Sequence, residues 1–263
     1  MERLKREWVF LRDRKIFLAI FFGGIVFQFF HNVAHNYVYY LAGKYKVYGG
    51  TDNQLVDLGF KALEPFRSLV YLSFLPSNGC LYALGVIALL TSIANSTSWV
   101  QIIWRALLVC SIAIFLRCVS FLLTILPAPA PQCAQSLFDP PSSALSIFFR
   151  FSTDNGCSDL IFSSHMMYGL IATCTVVHYS STCYAKTGMK YCIIGLCLSL
   201  NIAQGVCIVA QERHYTIDVW TSMYVVPLTW VCFYHLIPSD PTPSACPQKS
   251  LTHTHTPCPA DVI

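Results

Sequence analysis

Long apolar stretches separated by short polar or proline-containing links run through most of this chain. Crossing about 30 Å of hydrocarbon takes roughly 20 residues, and six stretches are long enough. They run from Ile16 to about Leu41, from about Leu69 to Ala94, from Trp99 to about Leu126, from Leu160 to about Thr182, from Tyr191 to Ala210, and from His214 to about Ile237. A bend is expected in the second at Pro76-Ser77-Asn78-Gly79, and the third stops at Pro127. In lipid each backbone polar group must be satisfied within its own segment or by protein, so the stretches are predicted to be helices. The expected architecture is an all-α polytopic membrane protein of six transmembrane helices spanning 16–237. A basic segment precedes it at 1–15, and a Pro/Thr/Ser-rich tail without a packed core follows at 238–263.

Composition excludes an ordinary soluble domain. The chain is 55% hydrophobic and 11% charged with a mean hydropathy of +0.53, too apolar for a water-facing surface. Arg3, Lys5, Arg6, Arg12, Arg14 and Lys15 precede the first stretch and put the amino terminus in the cytosol. Lys186 and Lys190 then fall on the cytosolic side, whereas Lys44, Lys46 and Lys61 do not. The first stretch is too long for a cleaved signal peptide and has no small-residue cleavage site. The net charge of +4 comes largely from the basic segment and points to anionic lipid, not nucleic acid. No phosphate-binding loop or dinucleotide fingerprint sits in a suitable strand context.

The candidate chemistry lies where two apolar stretches begin on the non-cytosolic side. His214 and Asp218 are spaced i,i+4, so on a helix the carboxylate can hold one imidazole nitrogen and leave the other free as a nucleophile. A carboxylate this deep costs about 2.5–3.5 kcal/mol on insertion scales and must face a partner, of which His214 is the nearest. His165 follows Phe162-Ser163-Ser164 and is placed to give a proton to a leaving alkoxide and take one from an incoming alcohol.

Cys157-Ser158-Asp159-Leu160-Ile161-Phe162-Ser163-Ser164-His165 resembles the Cys-Gly-Asp-x-x-x-Ser-Gly-His motif of the sphingomyelin synthase family, and His214-Tyr215-Thr216-Ile217-Asp218-Val219 resembles its second catalytic motif. Arg117 through Thr124-Ile125-Leu126-Pro127, Cys133 downstream, and Val56-Asp57-Leu58-Gly59-Phe60 are similar to further family elements in the same order. The resemblance covers roughly residues 16 to 237. It implies a ceramide headgroup transferase of the lipid phosphatase superfamily with His165, His214 and Asp218 as catalytic triad and no metal or cofactor. A phospho-alcohol, phosphocholine ranked first, would pass from phosphatidylcholine or another glycerophospholipid through a phosphohistidine to ceramide, releasing diacylglycerol. The implied location is the lumenal or exoplasmic face of Golgi or plasma membrane. Arg117, Asp159, Ser163, Ser164 and Tyr215 are the expected substrate contacts.

The sequence departs from the family at Ser158 and Ser164, where glycine is usual, and at Met166 in place of threonine. A Cβ beside a phosphate site can crowd the approach of backbone N–H groups. Hydrolysis by a lipid phosphate phosphatase is disfavoured because no Arg-Pro dipeptide occurs. A phosphatidylcholine:diacylglycerol cholinephosphotransferase shares Asp-Leu-Gly-Phe and His-Tyr-Thr-Ile-Asp, but Cys-x-Asp before Phe-Ser-x-His fits the sphingolipid branch better. A lipid-binding scaffold without turnover is the non-enzyme alternative.

Arg117 stands about ten residues, roughly 15 Å, before the end of its span. It either reaches a substrate phosphate with its planar donor fork or pairs with Asp159 or Asp57. Arg105 is expected to snorkel at the other end. His31 and His35, each followed by Asn, read as a polar face turned towards the bundle interior, since no further zinc-like ligands accompany them. Cys133 and Cys157 share one non-cytosolic loop and can pair there. Cys183, Cys246 and Cys258 are candidates for acylation. Asn95-Ser96-Thr97 is a glycosylation sequon on the cytosolic side, where it is expected to stay unmodified.

Overall fold

The computed structural model describes residues 15–50, 54–71, 75–95, 99–150, 157–184 and 187–236, and these are helical apart from their links. The helices are α1 (Lys15–Tyr45), α2 (Leu58–Tyr71), α3 (Leu75–Ala94), α4 (Trp99–Leu123), α5 (Ala144–Phe149), α6 (Ser164–Cys183), α7 (Thr187–Ala210) and α8 (Thr216–Leu236). A 3-10 turn occupies Pro131–Cys133. The basic segment up to Arg14 and the whole tail, with Cys246, His253, His255 and Cys258, lie outside the described residues.

The expected helical class holds. Among the described residues, Ser77–Ala94, Gln101–Leu123 and Thr187–Ala210 are long and apolar enough to cross a bilayer. Helices α1, α6 and α8 have 31, 20 and 21 residues. α1 holds Gln28, His31, Asn32, His35 and Asn36, and α6 and α8 carry His165 and Asp218.

One expected boundary differs. The helix that holds Leu69 begins at Leu58, ahead of the expected start, and a further helix runs from Leu75, with residues 72–74 between them outside the described residues. Asp57 starts α2 by accepting the N–H groups of Gly59 and Phe60 at 2.7 and 3.3 Å. Lys61, Glu64 and Arg67 then give a fourteen-residue helix too polar and too short to span. A side-chain cap followed by polar residues every third position was the available signal.

Helix α6 occupies the centre, packed on α3, α4, α7 and α8, while α1 lies against α4 and the short α5. Phe121, Leu160, Phe162, Met166 and Met167 fill the core between them. Leu89, Phe115, Leu123, Trp220 and Leu228 point outwards, whereas Asn201, Gln204 and Ser222 are buried. Apolar outside and polar within is the distribution of a bundle surrounded by lipid. Asn201 Nδ2, for example, donates to Cys197 O at 2.9 Å and to Thr173 Oγ1 on the neighbouring α6.

Candidate active site

Three helix starts and one loop converge at the end of the bundle that holds His165 and His214. Asp218 is the third residue of α8, fully buried, and its Oδ2 accepts the Tyr215 N–H at 3.1 Å, the reach-back of a capping box. The same oxygen lies 3.3 Å from His214 Nδ1. Oδ1 accepts the Ile161 N–H at 3.1 Å, which draws in the loop leading to His165. The cost of a carboxylate inside a membrane helix is thereby offset by one imidazole and two backbone donors. With Nδ1 engaged, His214 Nε2 makes no hydrogen bond among the described residues.

His165 is the second residue of α6. Its Nε2 lies 3.1 Å from Asn78 Oδ1, and an amide oxygen facing a ring nitrogen holds a proton there. Gln204 Nε2 donates to the His165 carbonyl at 3.0 Å, fixing the backbone beneath the ring. Ser222 Oγ bridges the carbonyls of Ser163 and Asp218 at 3.1 and 3.0 Å, joining the two helix starts. The sequence reading missed Asn78, Gln204 and Ser222 as supports; the signal was an amide or hydroxyl inside an otherwise apolar run.

Arg117 pairs with Asp159. Its Nη2 reaches the Asp159 carboxylate and, at 2.7 Å, the Asp159 carbonyl, while Nε donates to Phe162 O at 2.7 Å. The Nη1 donors make no hydrogen bond among the described residues. His35 Nε2 lies 3.5 Å from the same carboxylate, so the polar face expected of α1 does turn inwards. Burial alone would raise the Asp159 pKa, but Arg117, followed by His35, holds it well below the usual carboxylate value. Asn36 Nδ2 donates to Ile147 O at 2.9 Å and Arg150 O at 2.7 Å, and Asn32 Nδ2 to Arg150 O at 3.0 Å, closing the end of α5.

Ser163 is the first residue before α6, yet its hydroxyl does not cap the helix and is buried without a partner among the described residues. Ser164 is half-buried at the first helical position. Neither Ser158 nor Ser164 has a positive φ, so the backbone at the two departures does not demand glycine. Met166 is fully buried in the core. The Tyr215 hydroxyl donates to Pro127 O at 2.8 Å and accepts from Leu55 N at 3.1 Å, and its ring stacks on Phe60 at 5.6 Å. Tyr215 is therefore a strut between three links, its polar atom taken up by protein. Beside it opens an apolar hollow of about 400 Å³ lined by Leu55, Val56, Leu58, Leu126, Ile217 and Trp220.

Cys133 and Cys157 form a disulfide, and Cys157 N donates to Tyr39 OH at 2.7 Å, fastening the start of the 157–163 loop to α1. At the far end, Asn95 is buried with its Nδ2 on Tyr179 O at 2.9 Å, so its amide is engaged inside the protein.

Residues 156–236, which contain both histidines, match the family model described as PAP2 superfamily C-terminal. The chain is 30% identical over 240 residues to phosphatidylinositol:ceramide inositolphosphotransferase 2 of Arabidopsis thaliana, covering 84% of this chain and 71% of that one. It is 29% identical over 239 residues to a phosphatidylinositol:ceramide inositolphosphotransferase of Oryza sativa subsp. indica, covering 83% of this chain and 65% of the rice protein. The chain belongs to the sphingomyelin synthase family of ceramide phosphotransferases. Of the two serines that stand for glycine in this family's first motif, Ser158 is buried and Ser164 half-buried, and the His214–Asp218 contact stands at 3.3 Å. The family resemblance read from the sequence is thus sustained over most of the chain, which spans about two thirds of the rice relative's length.

Proposed function

We propose that this protein transfers a phospho-alcohol from a glycerophospholipid to ceramide, and that the headgroup is inositol. The observation that carries the headgroup is a set of buried polar atoms without hydrogen-bond partners among the described residues: His31 Nε2, His35 Nδ1, Ser158 Oγ, Asp159 Oδ1 and Ser163 Oγ. All belong to α1 or to the loop that Arg117 and Asp159 hold beside His214. Orphaned polar atoms are costly in a low-dielectric interior, and hydroxyls that both donate and accept satisfy them. A trimethylammonium satisfies none. The plant relatives act, by name, on phosphatidylinositol and ceramide.

The chemistry follows from the geometry. His214 Nε2 attacks phosphorus while Asp218 holds Nδ1 and stabilises the imidazolium-like charge that develops. The bond to the diacylglycerol oxygen breaks, and His165 gives that oxygen its proton. The ceramide primary hydroxyl then attacks the phosphohistidine, His165 recovers a proton from it, and His214 leaves with its electron pair restored. Arg117 Nη1 and the N-terminus of α6 with Ser163 and Ser164 face the phosphate oxygens. Lipid chains extend into the hollow bordered by Leu58 and Trp220.

Six crossings with a cytosolic amino terminus put this end of the bundle on the exoplasmic side, and the disulfide Cys133–Cys157 suits that compartment. Phosphocholine is the second reading, favoured by the Tyr39 and Phe121 rings near Asp159. It is weakened because Arg117 already neutralises that carboxylate.

The purified protein, supplied with labelled ceramide and separately with phosphatidylinositol, phosphatidylcholine or phosphatidylethanolamine, reports the donor by product mass. Inositol phosphoceramide with matching diacylglycerol is the expected product. A product from phosphatidylcholine alone would sink the inositol reading, and water-soluble headgroup phosphate without a ceramide product would sink transfer.

A further inference from the structure

Arg105 lies on α4 twelve residues before Arg117, about 18 Å along the axis at 1.5 Å per residue, towards the end of the bundle opposite the histidines. It does not snorkel to solvent as expected. The side chain turns inwards, only 4% of the residue remaining exposed. Its Nη1 lies 2.9 Å from His178 Nε2 on α6, and the guanidinium sits 5.7 Å from the ring centre of Tyr234 on α8. His178 is in turn set edge-on against Tyr179, Tyr234 and Trp230 at 4.6, 5.0 and 6.0 Å.

These neighbours accept one N–H and present ring faces, but none carries a negative charge at neutral pH. Among the described residues Arg105 has no carboxylate within ion-pair distance. A guanidinium taken out of water without a counter-ion is destabilised by several kcal/mol. One turn earlier on the same face, Gln101 is 6% exposed and its Nε2 is buried without a partner among the described residues. Both residues stand in the first two turns of a 25-residue helix, where the helix dipole also favours an anion. Among the described residues, the Gln101 amide nitrogen has no acceptor and the Arg105 guanidinium has no carboxylate. Trp99, at the helix start and 38% exposed, puts this level at the interface where lipid phosphates lie.

We propose that Arg105 and Gln101, at the first turns of α4, bind the phosphate of an anionic glycerophospholipid in the leaflet opposite the catalytic histidines. The planar fork of Arg105 takes two phosphate oxygens and the Gln101 amide a third. His178, accepting from Nη1, sets the plane of the fork.

Thermal unfolding of the full chain in a neutral detergent tests this, with phosphatidic acid, diacylglycerol of the same acyl chains, and inorganic phosphate as probes. Phosphatidic acid is expected to raise Tm for the wild type and for His214→Ala alike, while the other two probes do not. Gln101→Leu removes an orphaned donor without stranding a charge and should fold; its half-saturating lipid concentration is expected to rise about tenfold, the loss of one charge-assisted hydrogen bond. Arg105→Gln should respond still less. Diacylglycerol matching phosphatidic acid would overturn the proposal, as would inorganic phosphate sufficing alone. So would a wild-type response in Gln101→Leu, or a response lost in His214→Ala, which would move the lipid to the catalytic end.

Discussion

The carboxylate of Asp57 receives the backbone N–H of Thr216 at 2.7 Å and its hydroxyl at 2.6 Å, while also receiving Gly59 N at 2.7 Å. One side chain therefore closes the starts of α2 and α8, two elements far apart in sequence. Gly59 is required by that closeness, because a Cβ there would collide with Thr216 Oγ1.

Asp57→Ala should cost about 1 kcal/mol for each helix start it uncaps, read as a lower Tm in detergent. Burial opposes ionisation of Asp57, but its hydrogen bonds to Thr216, Gly59 and Phe60 win and lower its pKa. The stabilisation is then complete above the unfolded value of about 4 and fades as pH falls through the lower folded value. Asp57→Asn should flatten the acid limb of the stability curve; an unchanged limb would refute the linkage.

His214→Ala should abolish transfer in inserted protein. Asp218→Asn should slow it by on the order of a hundredfold or more, since the imidazole loses its charged partner. If Asp218→Asn retained full turnover, the carboxylate would be only a helix cap.

Arg117→Ala leaves the Asp159 carboxylate buried with His35 as its one ion-pair neighbour among the described residues, and breaking such a pair costs about 3–5 kcal/mol. Arg117→Lys keeps the charge but cannot reach Asp159 and the Phe162 carbonyl together. Its expected signature is a folded protein with reduced kcat, measured by product formation at saturating donor. Wild-type kcat would remove Arg117 from the phosphate site.

Cys133→Ser and Cys157→Ser should each destabilise the protein by about 3 kcal/mol, and the double variant by no more than either. Additive losses in Tm would mean the two sulfurs act separately.

The four-residue spacing made the His214–Asp218 contact legible in the sequence, although His214 precedes α8 and the carboxylate meets it by reaching back over the helix start. Arg117 was legible as important but not as a choice, since a lone span arginine is equally suited to substrate and to a carboxylate; the fold gives its Nη2 and Nε to the loop and leaves Nη1. Arg105 was misread because burial depends on which face of α4 meets α6 and α8, and apolar residues surround it on all sides in sequence. Asn78 and Gln204 were hidden for a related reason. Each meets His165 across a helix boundary, and no local periodicity records such a meeting. Tyr215 was expected at the substrate because of its neighbour, yet its hydroxyl is held by Pro127 and Leu55.

Asp218 both begins α8 and fixes the tautomer of His214, through the same oxygen. Secondary structure and reactivity thus share a single register. Lengthening or shortening the link between His214 and Asp218 by one residue would part the imidazole from its carboxylate and fray the helix in the same stroke. That stretch can tolerate substitution at its outward-facing positions, but insertion or deletion there has no harmless solution.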